Sequence, residues 1–268
     1  MNQEHSLFWG EFVVAPDGIY TYAHYYEHPA TKRRVIFVGM NHGGDKEYFE
    51  SAAKILEDAE VVLYEDLPRD QNEDESEARR SAEEDLHKLS SENIDEAFYP
   101  AIRTYFRKVR EYLRLVSEGS MFDYSKSGWE SGDAEFFVRL KSDETLHRFL
   151  GEQQKNLIHI APERKREVVK YVKRALKGIE SGRFTKKDLG DGFVFFWSDE
   201  NLVSIILDAL GKPRDEIVLG RFDKIVRERN PRVVGIKFGA AHITYQRKLL
   251  EQRGYVLQRS VKLKNLSF

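Results

Sequence analysis

Apolar residues fall along this chain in distinct rhythms. Near the amino end two short apolar runs, Phe12-Val13-Val14-Ala15 and Ile19-Tyr20-Thr21-Tyr22, flank Pro16-Asp17-Gly18. Proline presets the φ of a turn and glycine tolerates positive φ, so this pattern predicts a β-hairpin. Beyond it, Arg34-Val35-Ile36-Phe37-Val38-Gly39 is apolar without alternation, as befits a strand buried on both faces. From Asp45 the rhythm becomes helical, with Tyr48, Phe49, Ala52, Ala53 and Leu56 on one stripe, and Val61-Val62-Leu63-Tyr64-Glu65 returns to a short buried strand. Strand, helix, strand is the signature of a parallel sheet. The carboxyl part repeats it. Asp215 to Arg229 reads as a helix with Ile217, Val218, Phe222, Ile225 and Val226 on its apolar face, and Val233 to Gly239 reads as a strand. A second helix starts at about His242, with Gly254 in the place of its C-cap. Tyr255-Val256-Leu257 opens another strand, which Val261-Lys262-Leu263 either continues or pairs with.

Between these ends the pattern differs. Residues from about 70 to 190 are charge-rich and mostly helical in period, with a long stripe of Phe98, Ile102, Tyr105, Phe106, Val109, Tyr112, Leu113 and Val116. The expected architecture is therefore one α/β domain spanning 1–268. It has a mostly parallel central sheet flanked by helices, an N-terminal β-hairpin, and a helical insertion over 70–190 expected to cover the strand ends. The acidic stretch from Arg69 to Glu84 is expected to be a solvated loop or helix face. The basic one, with Arg164, Lys165, Arg166, Lys170, Lys173, Arg174 and Lys177, is expected to be a solvated helix face above a stripe of Val168, Val169, Val172 and Leu176.

Composition narrows the chemistry. The 268 residues contain no cysteine, which removes disulfides, thiolate metal sites and cysteine nucleophiles and leaves His, Asp and Glu as metal ligands. A formal charge of -2 gives no global pull toward nucleic acid, and no apolar run reaches the roughly 18 residues of a spanning helix. Met1-Asn2-Gln3-Glu4-His5 lacks the basic and apolar regions of a signal peptide, so the expectation is a cytoplasmic protein with no stable membrane insertion and no nucleic-acid partner.

His24-Tyr25-Tyr26-Glu27-His28 has the H-x-x-E-H spacing of a zinc protease. That chemistry needs a helix, and the segment continues a strand-like run up to Pro29, so the zinc reading is set aside. Gly39-Met40-Asn41-His42-Gly43-Gly44-Asp45-Lys46 lacks the Gly-Lys-Ser/Thr core of a phosphate loop, and Asp45 would repel phosphate. Its glycines allow a sharp turn that leaves His42 near a helix N-terminus. Gly239-Ala240-Ala241-His242 repeats the arrangement of strand, glycine, two residues and histidine, and Glu65 ends the strand between. Ligands of open parallel sheets bind outside the carboxyl ends of the strands, where His42, Glu65 and His242 are all expected. Two histidines and a carboxylate could hold a divalent metal, or act metal-free with Glu65 orienting His42 to activate water. His5, His87, His147 and His159 have no partner at any recognisable spacing.

In these residues the chain resembles the TraB/PrgY/GumN/Tiki superfamily, whose members carry two Gly-x-x-His motifs and a glutamate ending the strand after the first. The resemblance covers about 33–68 and 219–255. It departs at Thr244-Tyr245, where a glycine is expected shortly after the second histidine. The family's arginine at the opening of the preceding helix is most nearly matched by Arg221. The resemblance implies a sheet flanked by helices and, from Tiki proteins, a metal-dependent peptidase activity. Other relatives inhibit peptide signalling, and more distant ones bind haem or hydrolyse esters. The expected function is hydrolysis of amide or ester bonds in a peptide or small-molecule substrate. His42, Glu65, His242 and Arg221 are the site residues, with Mn, Co or Zn as the candidate metal held by His42, Glu65 and His242. The alternative is a non-catalytic peptide-binding or signalling-regulatory protein on the same fold.

Overall fold

The computed structural model describes residues 4–66, 75–136, 160–198 and 211–268. The protein is α/β. The hairpin forms where its turn residues place it: β2 (Phe12–Ala15) pairs antiparallel with β3 (Gly18–Glu27), and β1 (His5–Leu7) adds to β2. The second half of β3 pairs antiparallel with β4 (Arg34–Met40). From β4 the sheet is parallel, running to β9 (Val233–Gly239), β6 (Val61–Tyr64) and β8 (Trp129–Ser131). β10 (Val256–Ser267) lies antiparallel along the other edge of β3 over nearly its full length, with irregularities in register between Leu257 and Arg259 and between Lys264 and Leu266. The strand expected at Tyr255 is thus continuous through Val261-Lys262-Leu263.

The apolar runs lack alternation because both faces of the parallel strands are covered. On one face Val35, Phe37, Val61, Leu63, Val234, Ile236 and Phe238 pack with α6 (Lys212–Arg229) and α7 (Ala240–Glu251). On the other, Ile36, Val38, Met40 and Val62 pack with α1 (Lys46–Leu56) through Tyr48, Phe49, Ala52 and Leu56. Each fully buried Val, Leu or Phe contributes roughly 1.5–3 kcal/mol relative to leaving it exposed. Gly235 on β9 leaves room for α1, since a Cβ there would meet Leu56 Cδ2 at 2.8 Å.

The middle of the chain supplies α2 (Glu75–Lys88), α3 (Ile94–Leu113), α4 (Pro162–Glu180) and α5 (Lys186–Trp197). The aromatic-rich stripe of α3 packs with Val168, Val169 and Val172 of α4 and with Phe184 and Phe196, against Leu7, Phe12, Val14, Ile19 and Ala240. Ala240 directly follows β9, so this layer reaches the carboxyl edge of the sheet. The insertion is not purely helical. Its β7 (Val116–Ser117) pairs with β5 (Gly43–Gly44) just after His42, and β8 is a strand of the main sheet. The basic helix α4 turns Val168, Val169, Val172 and Ala175 inward, and its Lys165 is buried on Asp95 at 2.6 Å. The expected acidic stretch falls partly on 67–74, outside the described residues, as do His147 and His159. Among the described residues no helix is long and apolar enough to cross a membrane.

Candidate functional site

The loop after β4 carries His42, and its main chain is tied down on both sides. Tyr48, buried in α1, accepts a hydrogen bond from Asn41 N at 2.9 Å. Asn265 of β10 accepts from Asn41 Nδ2 at 2.8 Å, donates to the Gly43 carbonyl at 3.1 Å, and accepts from Asp45 N through its own carbonyl at 2.9 Å. A Cβ on Gly44 would run into the side-chain amide of Asn265, so this position has no room for a side chain. The histidine is thus followed by a two-residue strand rather than directly by a helix, and α1 starts only at Lys46.

Glu65 follows β6, with its amide donating to the Lys237 carbonyl at 2.9 Å. Its carboxylate is buried. Arg214 Nη2 donates to Oε1 at 2.8 Å, and Gly239 N donates to Oε2 at 2.8 Å. His242 lies within the first turn of α7, which begins at Ala240, two residues earlier than the sequence pattern placed it. The two Gly-x-x-His units are therefore inequivalent, one loop-borne and one helical, yet both converge on Glu65. His42 Nε2 stands 3.9 Å from Glu65 Oε2, and His242 Nε2 stands 3.6 Å from Glu65 Oε1. Gly239 permits this approach, because a Cβ there would sit 3.2 Å from His42 Nε2 and 3.3 Å from Glu65 Oε2.

Each histidine is held at its other nitrogen by a second carboxylate. His42 Nδ1 is 2.7 Å from Glu118 Oε2, and His242 Nδ1 is 2.9 Å from Asp215 Oδ1. Both carboxylates have further partners. Glu118 is bonded to the fully buried Lys237 of β9, whose ammonium also lies 4.9 Å from the centre of the Phe122 ring. Asp215 accepts from Gln246 at 2.7 Å. Asp133, which also accepts from Asp66 N at 2.7 Å, holds Arg214 Nε at 2.7 Å.

Electrostatics follow from this packing. Burial opposes charge on His42, but the bonded Glu118 and then Glu65 outweigh it and raise the imidazole above its ordinary range. The His42 side chain is 47% exposed, so water weakens both the burial penalty and the pull of the two carboxylates. His242 is likewise raised against its burial by Asp215 and then Glu65. Burial would lift Glu65, yet the charges of His42, His242 and Arg214, with the Gly239 N–H, hold it below the usual carboxylate range. Glu118 is drawn down to about 2, because Lys237 and His42 overcome its burial. Asp215 and Asp133 are raised, burial prevailing over their cationic neighbours.

The network joins the carboxylates of Glu65, Glu118, Asp133 and Asp215 to two cationic side chains, Arg214 and Lys237. Neutral histidines leave an excess of negative charge, and two imidazolium ions or one divalent cation would balance it. The donor chemistry suits a divalent metal, since metal-binding imidazoles commonly have the second nitrogen anchored by a carboxylate. Among the described residues, however, no three His, Asp or Glu side chains are gathered as a metal cage. Both oxygens of Glu65 already accept hydrogen bonds.

The structure brings His42, Glu65 and His242 together and leaves Arg221 aside. Arg221 pairs with Glu130 of β8 at 2.8 Å, and Arg214 is the arginine on Glu65. Sequence reasoning also missed Glu118, Asp133, Asp215 and Lys237. Lys237 carried a usable signal, because a lone lysine inside a continuous apolar strand needs a buried anion. His24 and His28 lie on a strand and at its end, not on a helix.

No family model matches this chain, and neither does any curated protein or solved structure.

Proposed function

We propose that this protein is a hydrolase of amide or ester bonds, peptidase-like in substrate, in which His42, Glu65 and His242 act on water. One observation carries the reading: two histidines, each anchored at Nδ1 by a carboxylate, present Nε2 to the same buried glutamate. Orienting one ring nitrogen fixes which atom takes or gives the proton. His42, the exposed member, takes a proton at Nε2 from the attacking water. His242, buried beside Asp215, gives one from Nε2 to the departing amine or alkoxide. Glu65 lies between them and stabilises whichever ring is charged. Both imidazoles are raised above the ordinary histidine range, against their burial, by the carboxylates around them, so each ring is favoured in its protonated form by the same groups that orient it. The paired Gly-x-x-His motifs and strand-end glutamate, which resemble those of the TraB/PrgY/GumN/Tiki superfamily, support the same reading. A divalent Mn, Co or Zn ion would be held by His42, Glu65 and His242 and would polarise a carbonyl or acidify a water. A cytoplasmic location belongs to the same proposal.

A second reading, a non-catalytic peptide-binding or regulatory protein, is favoured by the engagement of both Glu65 oxygens. The test is turnover of a broad peptide and ester panel, with and without Mn²⁺, Co²⁺ and Zn²⁺, on protein purified without chelators. Elemental analysis would accompany it. The hydrolase reading expects turnover lost in His42→Ala and His242→Ala with the fold intact. An inert wild-type protein that still binds peptide, with binding weakened by the same substitutions, would replace it with the second.

A further inference from the structure

The His24 segment, rejected as a zinc motif, belongs to a separate constellation. The His24 ring is buried and bonded at both nitrogens, with Nδ1 2.7 Å from Ser260 Oγ and Nε2 2.6 Å from Glu11 Oε2. Glu11 is also buried, and its other oxygen accepts from Arg247 Nη1 at 2.6 Å. Arg247 is steadied by the Tyr26 hydroxyl, which accepts from its Nε at 2.8 Å and donates to Glu251 at 2.8 Å. Tyr22 stacks on the imidazole with ring centroids 5.9 Å apart. Ser260 faces His24 across the β3–β10 pair and is exposed.

We propose that Ser260, His24 and Glu11 form a second reactive centre, in which Ser260 Oγ is a nucleophile toward activated acyl or phosphoryl esters. The tautomer follows from the partners. An arginine-clamped carboxylate only accepts hydrogen bonds, so His24 Nε2 carries the hydrogen and donates it to Glu11. Nδ1 is left with its lone pair facing the Ser260 hydroxyl, which donates to it. Nucleophile, base and orienting carboxylate are thus in series within hydrogen-bond reach. The ring nitrogens have exchanged roles relative to the usual serine triad. The register irregularity between Leu257 and Arg259 falls immediately before Ser260, and such bulges re-aim a side chain. In the step itself, Oγ attacks the carbonyl carbon or phosphorus while its proton passes to Nδ1. The bond to the leaving group breaks, and the leaving group takes that proton from Nδ1. Water, deprotonated at Nδ1 in the same way, then cleaves the Ser260 ester and restores the hydroxyl.

The experiment uses the full chain and a fluorophosphonate probe, read by intact mass and peptide mapping. The expected result is one adduct at Ser260. It should be absent in Ser260→Ala, about 10-fold or more slower in Glu11→Gln, and unchanged in His42→Ala, which separates this centre from the one around Glu65. Ser260 is an exposed strand position, so Ser260→Ala keeps the fold and the comparison stands even if Glu11→Gln does not fold. An unlabelled wild-type protein would overturn the proposal. So would equal labelling in Ser260→Ala, or a folded Glu11→Gln labelled at the wild-type rate.

Discussion

Glu65 is one carboxylate serving Arg214, the Gly239 amide and two imidazoles at once. Glu65→Gln keeps the shape and removes the charge. The expected result is a stability loss of about 1–3 kcal/mol by urea unfolding, since Arg214 retains Asp133, together with loss of turnover. Glu118 gives a pH signature. Its folded-state value of about 2 lies below its ordinary value, so its contribution is present above the ordinary carboxylate range and is lost as pH falls toward 2. As pH falls from the ordinary carboxylate range toward 2 the wild-type protein should lose stability through this group, at no more than about 1.4 kcal/mol per pH unit. Glu118→Gln should flatten that part of the curve, and an unchanged slope in paired urea titrations would remove Glu118 from the account. The histidines have the opposite sign. Their raised values add stability below the ordinary imidazole range, and it is lost as pH rises through the folded-state values. Convergence of His42, Glu65 and His242 was legible because each closes a strand of one parallel sheet. Their anchors were not. Glu118 reaches His42 from a short turn with no periodic pattern, and only the fold makes them neighbours.

At the scale of elements, the arginine shows how a boundary shift changes a residue assignment. The apolar stripe suggested a helix from Asp215, but α6 starts at Lys212 with Pro213 in its first turn, a start signal in its own right. Its opening arginine is therefore Arg214. Arg221, seven residues on, lies about 10 Å further along the axis, beside Glu130. Arg214→Ala should lower turnover and release Glu65, whereas Arg221→Ala, which breaks a half-buried pair away from Glu65, should leave turnover unchanged. The glycines divide in the same manner. Gly239→Ala places a methyl between His42 and Glu65 and should impair the site more than the fold. Gly44→Ala forces Asn265 away and should lower the melting temperature more. Thermal melts and turnover on the two variants check this, and equal losses of melting temperature would contradict it. The parallel strands β4, β6 and β9 were legible because burial on both faces suppresses alternation. β8 was not, since Trp129-Glu130-Ser131 is too short and too polar to read as a sheet strand.

Across the whole molecule, segments distant in sequence are fastened to one another. β3 near the amino end is zipped to β10 near the carboxyl end, and β9 is inserted between β4 and β6. Such non-local pairing slows folding, because loop closure must precede the contacts that reward it. Asn265 adds an ordering in time. The loop bearing His42 is tied through Asn41, Gly43 and Asp45 to a residue made more than two hundred positions later. A nascent chain can build the hairpin early, but it lacks the clasp on that loop until synthesis has passed residue 265. A ribosome-stalled chain ending before β10 should therefore show no site-dependent binding. Refolding of the complete chain should restore bulk helix signal before His42-dependent activity. Residues 1–250 would then emerge from the ribosome with every member of the His42–Glu65–His242 set but without the clasp that orders the His42 loop, and the proposed site would be kept silent until β10 has been made.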